Sequence, residues 1–249
     1  MNDTRTVVGD GSLARDGFDH LAGLKVAMFT GNYNYLKEGA NQALNKLVAH
    51  LESRLGAEVR IYSPVTDTPA FEPEGTLVPV SSIALPGRSE FRLALGLPGS
   101  ARQEIRAFAP DIVHVASPDI LCNRAETFAR QLNLPIIASL HTRFETYPEY
   151  YHMGFLRPLV ERLLDRFYER ADTILVPTAG IAQEMVARHG SDKLRVWGRG
   201  VDTALFDPVR RDDGWRRAHG IEPSEAVLLF FGRLVVEKGV DCFAETLAI

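Results

Sequence analysis

Two cations stand five residues apart in the segment FFGRLVVEKGVD, where Arg233 and Lys238 follow an apolar run that ends at Gly232. In open α/β sheets, ligands bind beyond the carboxyl ends of the strands, and the helix N-termini found there favour anions. Two positive charges at this spacing suit a diphosphate group. The alternative is a solvated loop that carries ordinary surface charges.

Two more candidate residues lie in segments that follow predicted strands. Gly39 lies in the polar loop GNYNYLKEG that follows the apolar run VAMFT, and His141 directly follows the run IIASL. A glycine at such a loop lets a backbone amide approach a phosphate, although it also serves an ordinary turn. A histidine can donate a hydrogen bond when neutral and share developing positive charge when ionised.

Short apolar runs alternate along the chain with segments of helical periodicity. The runs predict strands at 58–63, 111–115, 136–140 and 173–176, and the periodicity predicts helices at 119–132, 154–170 and 181–189. A further helix follows the first strand, because Leu44, Leu47, Val48 and Leu51 recur at three- and four-residue steps. This alternation predicts parallel strands with helices on both faces of the sheet.

The pattern also predicts the domain organisation. Residues 1–24 read as a flexible leader, 25–198 as one α/β domain, and 199–225 as a turn-rich connection. Residues 226–249 read as the start of a second, incomplete α/β domain, with a buried strand at 226–231 and a helix from Val240 onward.

Composition excludes several classes of protein. The 249 residues are 45% hydrophobic and 24% charged, which is ordinary globular usage, and the formal charge of -4 provides no field for nucleic acid or anionic lipid. The two cysteines, Cys122 and Cys242, fit buried thiols in a reducing compartment. The leader lacks the apolar core of a signal peptide, and no apolar run approaches the ~20 residues needed to cross a bilayer. We expect a cytoplasmic protein, with membrane contact at most peripheral, at the inner face.

Four separated segments, PDIVHVASP, SLHTRFETY, WGRGVDTALFDP and FFGRLVVEKGVD, occur in one order along the chain. In these segments the sequence resembles the retaining family-4 glycosyltransferases from about residue 25 onward. The stretches HTRFETYPEYY and WGRGVD are most similar to the subgroup of GDP-mannose-dependent α-mannosyltransferases and sulfoquinovosyltransferases. The resemblance implies the GT-B fold, in which two Rossmann-like domains face each other across a cleft. Only the first strand-helix unit of the second domain would be present here.

The resemblance also implies an activity. A hexose, with mannose favoured, would pass from a nucleotide-sugar donor, GDP-mannose or a UDP-sugar, to a hydroxyl of a glycan, lipid or small-molecule acceptor. The configuration at the sugar carbon would be retained, as in other enzymes of glycan biosynthesis in this family. The sequence contains no D-x-D triplet, which fits departure of the nucleotide without a metal, and we expect no cofactor.

By the same resemblance, Arg233 and Lys238 hold the donor diphosphate and neutralise charge as the sugar bond breaks. His141 contacts the donor sugar near the reacting carbon, and the amide of Gly39 lies against the donor phosphate. The family often has a glycine pair at this loop, whereas here Glu38 and Ala40 flank a single glycine.

Other polar residues have two interpretations each. His114, at the end of PDIVHV, is more typical of a structural histidine bound by neighbouring backbone than of a ligand. Arg143 and Glu145 either line the acceptor side or pair with each other. Arg199 and Asp202 either lie near the cleft or stabilise a hinge turn. Three aromatic side chains could stack on sugar rings or cap the core, namely Tyr147, Tyr150 and Tyr151.

The predicted helix at 154–170 has two faces. We expect one face to be buried and the other, which is nearly balanced in charge, to be solvated. The apolar positions are Leu156, Leu159, Val160, Leu163, Leu164 and Phe167.

Two rival functions remain open. A sugar-nucleotide epimerase would place the same cations near phosphates on the same architecture, because fold does not decide chemistry. A non-catalytic fragment that binds glycan or lipid is the other. The family's two C-terminal glutamates would lie beyond Ile249, so we expect the 249 residues alone to be inactive.

Overall fold

The structure is a computed structural model that describes residues 21–85, 88–232 and 234–246, apart from the side chains of Arg88 and Glu237. The strands are β1 (Lys25–Phe29), β2 (Glu58–Ser63), β3 (Thr76–Pro79), β4 (Ser82–Leu85), β5 (Arg88–Ala94), β6 (Ile112–Val115), β7 (Ile136–Ser139), β8 (Thr173–Val176) and β9 (Leu194–Val196). The α-helices are α1 (Gly39–Leu55), α2 (Gly99–Phe108), α3 (Ile120–Gln131), α4 (Tyr147–Tyr150), α5 (Arg157–Glu169), α6 (Ala179–His189), α7 (Asp213–Ala218) and α8 (Val240–Thr246).

Seven of the strands form one parallel sheet in the order β3-β2-β1-β6-β7-β8-β9. Its central strands are buried along almost their whole length, as β1 shows, because helices cover a doubly wound sheet on both faces. The predicted parallel α/β architecture is therefore confirmed.

The strand order reverses direction between β1 and β6. Strand β1 pairs with β2 on one side, where Val26 lies opposite Val59, and with β6 on the other, where Val26 lies opposite Ile112. The connections that follow β1 and β6 therefore lead to opposite faces of the sheet, and in open α/β sheets such a reversal places the ligand-binding crevice at the carboxyl edge.

The core on one face of the sheet lies between α1 and the first two strands. Leu44 and Val48 of α1 are buried against apolar side chains of the sheet, among them Met28 and Ile61. The helix ends at Gly56, whose φ of 65° is the left-handed conformation that glycine adopts most readily. The helical spacing in this part of the sequence is confirmed.

The chain divides into two compact units. Unit 1 contains the described residues up to His141 together with Phe167–Trp197, and it holds the parallel sheet and the antiparallel hairpin of β4 and β5. Unit 2 contains Thr142–Arg166 and the described residues from Gly198 onward, including α4, α7 and α8. The domain boundaries given by the sequence stay a prediction.

The predicted strand at 226–231 is wrong for the described residues, because the backbone there forms no ladder and Phe231 is 95% exposed. A parallel strand requires hydrogen-bonding neighbours, and no other strand lies among the described residues of unit 2. The helix predicted from Val240 onward is present as α8.

The helix predicted at 154–170 begins with a 3₁₀ turn at Gly154–Leu156 and continues as α5. Phe167 is buried as expected, but Leu159 and Leu163 are 52% and 59% exposed, so the prediction of a fully buried apolar stripe is wrong for these two. No described helix has both the length and the apolar character needed to span a membrane.

A buried carboxyl group lies between α3 and the chain that follows α5. The side chain of Glu126 is completely inaccessible, and its Oε2 lies 3.5 Å from Nη1 of Arg170. Burial raises the pKa of Glu126 to about 8, because the cost of removing the carboxylate from water outweighs the attraction of Arg170 and Arg130. Glu126 is therefore largely protonated at neutral pH.

We expect Glu126→Gln to change how stability depends on pH. Between about pH 5 and pH 8 the folded state keeps a proton that the unfolded state has released, so the wild-type free energy of unfolding falls as pH rises through this window. Glutamine keeps the shape and cannot ionise, so this part of the fall is lost in the variant. Urea unfolding from pH 5 to pH 8 measures it.

The control is Glu72→Gln, at an exposed position for which the wild-type slope should persist. Equal slopes in wild type and Glu126→Gln would show that Glu126 has no raised pKa in the folded state.

Candidate functional site

Three neighbouring strands of unit 1 end at the same edge of the sheet. The loop from Thr30 to Glu38 follows β1, Ser117 follows β6, and His141 follows β7. Adjacent strands lie about 4.8 Å apart, so the ends of these three strands lie within roughly 10 Å of one another along the sheet edge. The structure therefore brings the predicted His141 and the loop that carries Gly39 to one region of unit 1.

The loop between β1 and α1 is held in shape by its own asparagines. The side chain of Asn32 accepts a hydrogen bond from the amide of Leu36, 3.3 Å away. Asn41, buried in the first turn of α1, donates to the carbonyl of Leu36 over 3.1 Å. Asn34 donates to the carbonyl of Phe71 over 3.0 Å. These bonds satisfy both backbone groups of Leu36 and tie the loop to the carbonyl of Phe71.

Gly39 is the first residue of α1, and it is exposed. Glu38 occupies the N-cap position, but its carboxylate does not cap the helix. The first amides of a helix have no intrahelical partner, so they can bind an anion. A Cβ added at Gly39 would meet no protein atom within 4 Å. Nothing within the described chain requires glycine here.

Gly31, two residues after β1, lies too close to a neighbouring side chain to carry a Cβ. A Cβ there would lie 2.5 Å from Oδ2 of Asp119. That carboxylate is tied down, because Oδ2 accepts a hydrogen bond from the Ser117 hydroxyl over 2.6 Å and Oδ1 accepts from the amide of Cys122 over 2.8 Å. The Ser117 oxygen in turn accepts from the amide of Gly31 over 3.0 Å. The ends of β1 and β6 are thus joined by a close polar contact.

His141 lies half-buried one residue beyond the last backbone pairing of β7 with β8, in which the amide of Leu140 donates to the carbonyl of Leu175. Its ring meets the edge of the Trp197 ring, with 5.6 Å between centroids and planes at 70°. Trp197 follows β9 at the same edge of the sheet. The imidazole is therefore oriented by an aromatic neighbour from its own unit.

His114 has a structural role. It is buried in β6, and its Nε2 lies 2.7 Å from Oγ of Ser139 at the end of β7. Burial lowers the pKa of His114 to about 4, so the ring is neutral at physiological pH. The structural interpretation from the sequence agrees with this contact, except that the partner is a side chain rather than the backbone.

The remaining predicted residues belong to unit 2. Lys238 is exposed at the end of a 3₁₀ turn, Val236–Lys238, and its amide donates to the carbonyl of Val235 over 2.9 Å. Gly239 follows with a φ of 69°, a left-handed conformation that leads into α8. Arg233 lies outside the described residues, so its predicted role is neither supported nor contradicted by the structure.

Other candidate residues in unit 2 have contacts and exposure that are typical of structural or surface residues. Nε of Arg143 lies 2.7 Å from Oε1 of Glu145, so these two side chains pair with each other. Tyr150 and Tyr151 are 42% and 47% exposed, so neither caps a core within the described part of unit 2. Asp202 accepts a hydrogen bond from the amide of Leu205 over 3.0 Å, as a turn residue does. No metal-binding group of three or more His, Cys, Asp or Glu side chains occurs in the described part of the chain.

Comparison with known proteins first gives the class of fold. The sucrose-phosphate synthase from Thermosynechococcus elongatus superposes with a TM-score of 0.63 and 16% identity, covering 90% of this chain and 59% of that one. The predicted GT-B type α/β fold class is confirmed. A model described as Glycosyltransferase Family 4 matches residues 38–205, about two thirds of the chain. The chain belongs to glycosyltransferase family 4.

Two individual relatives show which members of the family the chain is similar to. The chain is 33% identical over 165 residues to the sulfoquinovosyl transferase SQD2 of Arabidopsis thaliana, covering 64% of this chain and 32% of that protein. It is 31% identical over 227 residues to a GDP-mannose-dependent alpha-mannosyltransferase of Mycolicibacterium smegmatis, covering 89% of this chain and 59% of that protein. The chain thus spans between a third and three fifths of the length of these relatives.

Gly31, Ser117 and Asp119 were not predicted as site residues from the sequence. A signal was present for one of them, because an aspartate immediately before a periodic apolar segment is a typical helix N-cap. Asp119 does cap α3 through the amide of Cys122. The contact with Gly31 joins positions 86 residues apart through Ser117, and no local pattern marks it.

A matched pair of glycine substitutions should separate the two kinds of glycine in the β1–α1 loop. We expect Gly31→Ala to lower the free energy of unfolding by about 1 to 3 kcal/mol, because the methyl group would overlap a carboxylate that cannot move freely. We expect Gly39→Ala to leave stability unchanged or to raise it by up to about 1 kcal/mol, because the space is open and alanine favours a helix. Urea unfolding of both variants measures this. Equal losses would contradict the geometry at Gly31.

Proposed function

We propose that the full-length protein transfers a hexose, with mannose favoured, from a nucleotide-sugar donor to an acceptor hydroxyl, with retention of configuration and without a metal or a cofactor. GDP-mannose is the first donor to test, because the relative that shares 31% identity over 89% of this chain is named for that donor. A UDP-sugar is the second. The acceptor is a glycan, a lipid or a small molecule.

One juxtaposition carries the proposal in the described structure. The β1–α1 loop with Gly39 and the β7 end with His141 lie at the same carboxyl edge of one parallel sheet. This edge is where open α/β sheets bind ligands. The uncapped amides at the start of α1 suit a phosphate, and the empty space beside Gly39 leaves room for it.

His141 is proposed to contact the transferred sugar. Its ring is half-buried and is oriented by Trp197, so it can present a nitrogen in a defined direction. A neutral imidazole would donate a hydrogen bond to a sugar hydroxyl. An ionised imidazole already carries a full positive charge, so it would repel the positive charge that develops at the reacting carbon and could not share it, in contrast to the expectation from the sequence. The neutral form therefore suits bond cleavage better.

Lys238 and Arg233 are proposed to stabilise the departing diphosphate. Negative charge grows on the leaving group as the bond to the sugar breaks, and cations placed there act where the charge develops. The ammonium of Lys238 stands on an exposed turn ahead of α8, which leaves it accessible to a ligand. Such an arrangement can replace a metal ion as the electrostatic partner of the diphosphate.

The first experiment combines donor binding with turnover in the full-length protein. We expect GDP-mannose to raise the unfolding temperature, because a ligand that binds only the folded state stabilises it by mass action. With radiolabelled GDP-mannose and a panel of glycan, lipid and small-alcohol acceptors, labelled product should form in the presence of EDTA. NMR of the product should show the α configuration of the donor.

Other outcomes would assign the protein differently. Conversion of a nucleotide sugar without any acceptor would identify an epimerase, and binding of glycan or lipid without turnover would identify a non-catalytic module. No thermal shift with any nucleotide sugar would overturn the proposal. Residues 1–249 alone are proposed to be inactive, and sugar transfer by that polypeptide would contradict this.

Lys238→Ala should slow the reaction in the full-length protein. We expect kcat/KM to fall by an amount equivalent to about 2 to 4 kcal/mol of transition-state stabilisation, as the loss of one charged group at a leaving group typically does. Lys238→Arg keeps the charge and should retain most of the activity. Lys46→Ala, at an exposed position on α1, is the control that removes a lysine elsewhere. Unchanged kcat/KM in Lys238→Ala would remove Lys238 from the mechanism.

A further inference from the structure

Ser117 and Asp119 connect the ends of β1 and β6. The Ser117 hydroxyl oxygen accepts from the amide of Gly31 at 3.0 Å, and the hydroxyl donates to Oδ2 of Asp119 at 2.6 Å. The hydroxyl therefore has its donor and its acceptor roles occupied by opposite sides of the crevice. We call these two residues the Ser117–Asp119 clamp.

Gly31 in the β1–α1 loop is held on both sides, by the clamp at its amide and by a tyrosine at its carbonyl. While Ser117 holds the amide of Gly31, the hydroxyl of buried Tyr35 donates to the carbonyl of Gly31 over 2.9 Å. The same Tyr35 oxygen accepts from the amide of Arg92 on β5 over 3.2 Å. Both polar groups of Gly31 are thus bound, and a change at Ser117 would leave the amide without this partner while the carbonyl keeps its contact with Tyr35.

The position of Gly31 is passed along the loop to α1. From Asn32 onward the loop is bound to itself through the amide of Leu36, and Asn41 ties the carbonyl of Leu36 to the first turn of the helix. Asn34 also ties the middle of the loop to the carbonyl of Phe71, so the loop is anchored outside itself as well. We expect a shift at Gly31 to be carried to Gly39 along the path from Asn32 through Leu36 to Asn41.

We propose that Ser117 and Asp119 are positioning residues, which act through Gly31 to hold the β1–α1 loop where its amides can bind the donor diphosphate. This inference rests on the proposed function. Neither residue needs to touch the donor. The closeness of Gly31 to Asp119 fits the same role, because the loop is seated directly on the carboxylate.

The two duties of Asp119 can be separated by experiment. Oδ1 caps α3 through the amide of Cys122, which is a purely structural contact, whereas Oδ2 serves the clamp. Ser117→Ala removes the clamp and leaves the cap. Thr178→Ala removes the cap of α6, where the threonine oxygen accepts from the amide of Ile181, and leaves the clamp. The second variant is the matched control for loss of a structural hydrogen bond.

Two measurements on the full-length protein test the inference. In hydrogen–deuterium exchange, Ser117→Ala should raise the exchange rates of residues 31–39, while Thr178→Ala should not. With GDP-mannose as donor, kcat/KM should fall about 10- to 100-fold in Ser117→Ala, as expected when a binding group is displaced by a fraction of an ångström to 1 Å. Ser117→Thr keeps the hydroxyl and should restore both properties, and Thr178→Ala should keep wild-type kcat/KM.

The outcomes distinguish this inference from the proposed function. If the wild-type protein neither binds nor uses a nucleotide sugar, the proposed function fails and the positioning role falls with it. If the wild-type protein is active and Ser117→Ala matches it in kcat/KM, the positioning role is overturned while the proposed function stands. Unchanged exchange at residues 31–39 in Ser117→Ala would overturn the clamp itself.

Discussion

The parallel pairing of β1 with β6 is the constraint on which the candidate site depends. These two strands come from positions more than 80 residues apart, and their pairing brings the segment after Phe29 beside the segment after Val115. Because the strand order reverses here, the two loops diverge and the backbone between them needs polar partners. Ser117, Asp119 and the thiol of Cys122 supply those partners, the last by donating to the carbonyl of Phe29 over 3.3 Å.

Polar groups buried at the sheet differ from those at its edge. His114 lies against the Ser139 hydroxyl and Glu126 against the Arg170 guanidinium, and burial favours the neutral form of each, lowering the pKa of His114 and raising that of Glu126. His141 and Gly39, by contrast, are only half-buried or exposed at the carboxyl edge. The unit thus keeps its neutral polar groups inside and its candidate ligand-binding groups where water and substrate can reach them.

Local patterns predicted the elements whose cause is local. β1 and β8 are largely continuous apolar runs, β2 alternates apolar with polar residues, and α1 and α3 follow helical spacing, so these elements could be predicted before any contact was known. β3, β4, β5, α2 and β9 were missed, because they are short or partly exposed and have no comparable apolar run. The strand at 226–231 was predicted wrongly for the opposite reason. Its apolar run is strong, but a strand exists only where a neighbour supplies hydrogen bonds, and sequence does not show the neighbour.

The difference between local and long-range causes also explains which residues of the candidate site could be named from the sequence. Gly39 and His141 were named as site residues because the segments around them resemble the family, and both stay predictions. Each lies in a segment that follows an apolar run, which sequence reveals. Ser117 stands between Ala116 and Pro118 in an ordinary turn sequence, and its importance comes from Gly31, which is distant along the chain. The role of such a residue depends on which strands pair in the fold, and the sequence around the residue does not show this. Residues that position a loop are therefore harder to predict from sequence than residues that stand at a strand end, even where both serve one site.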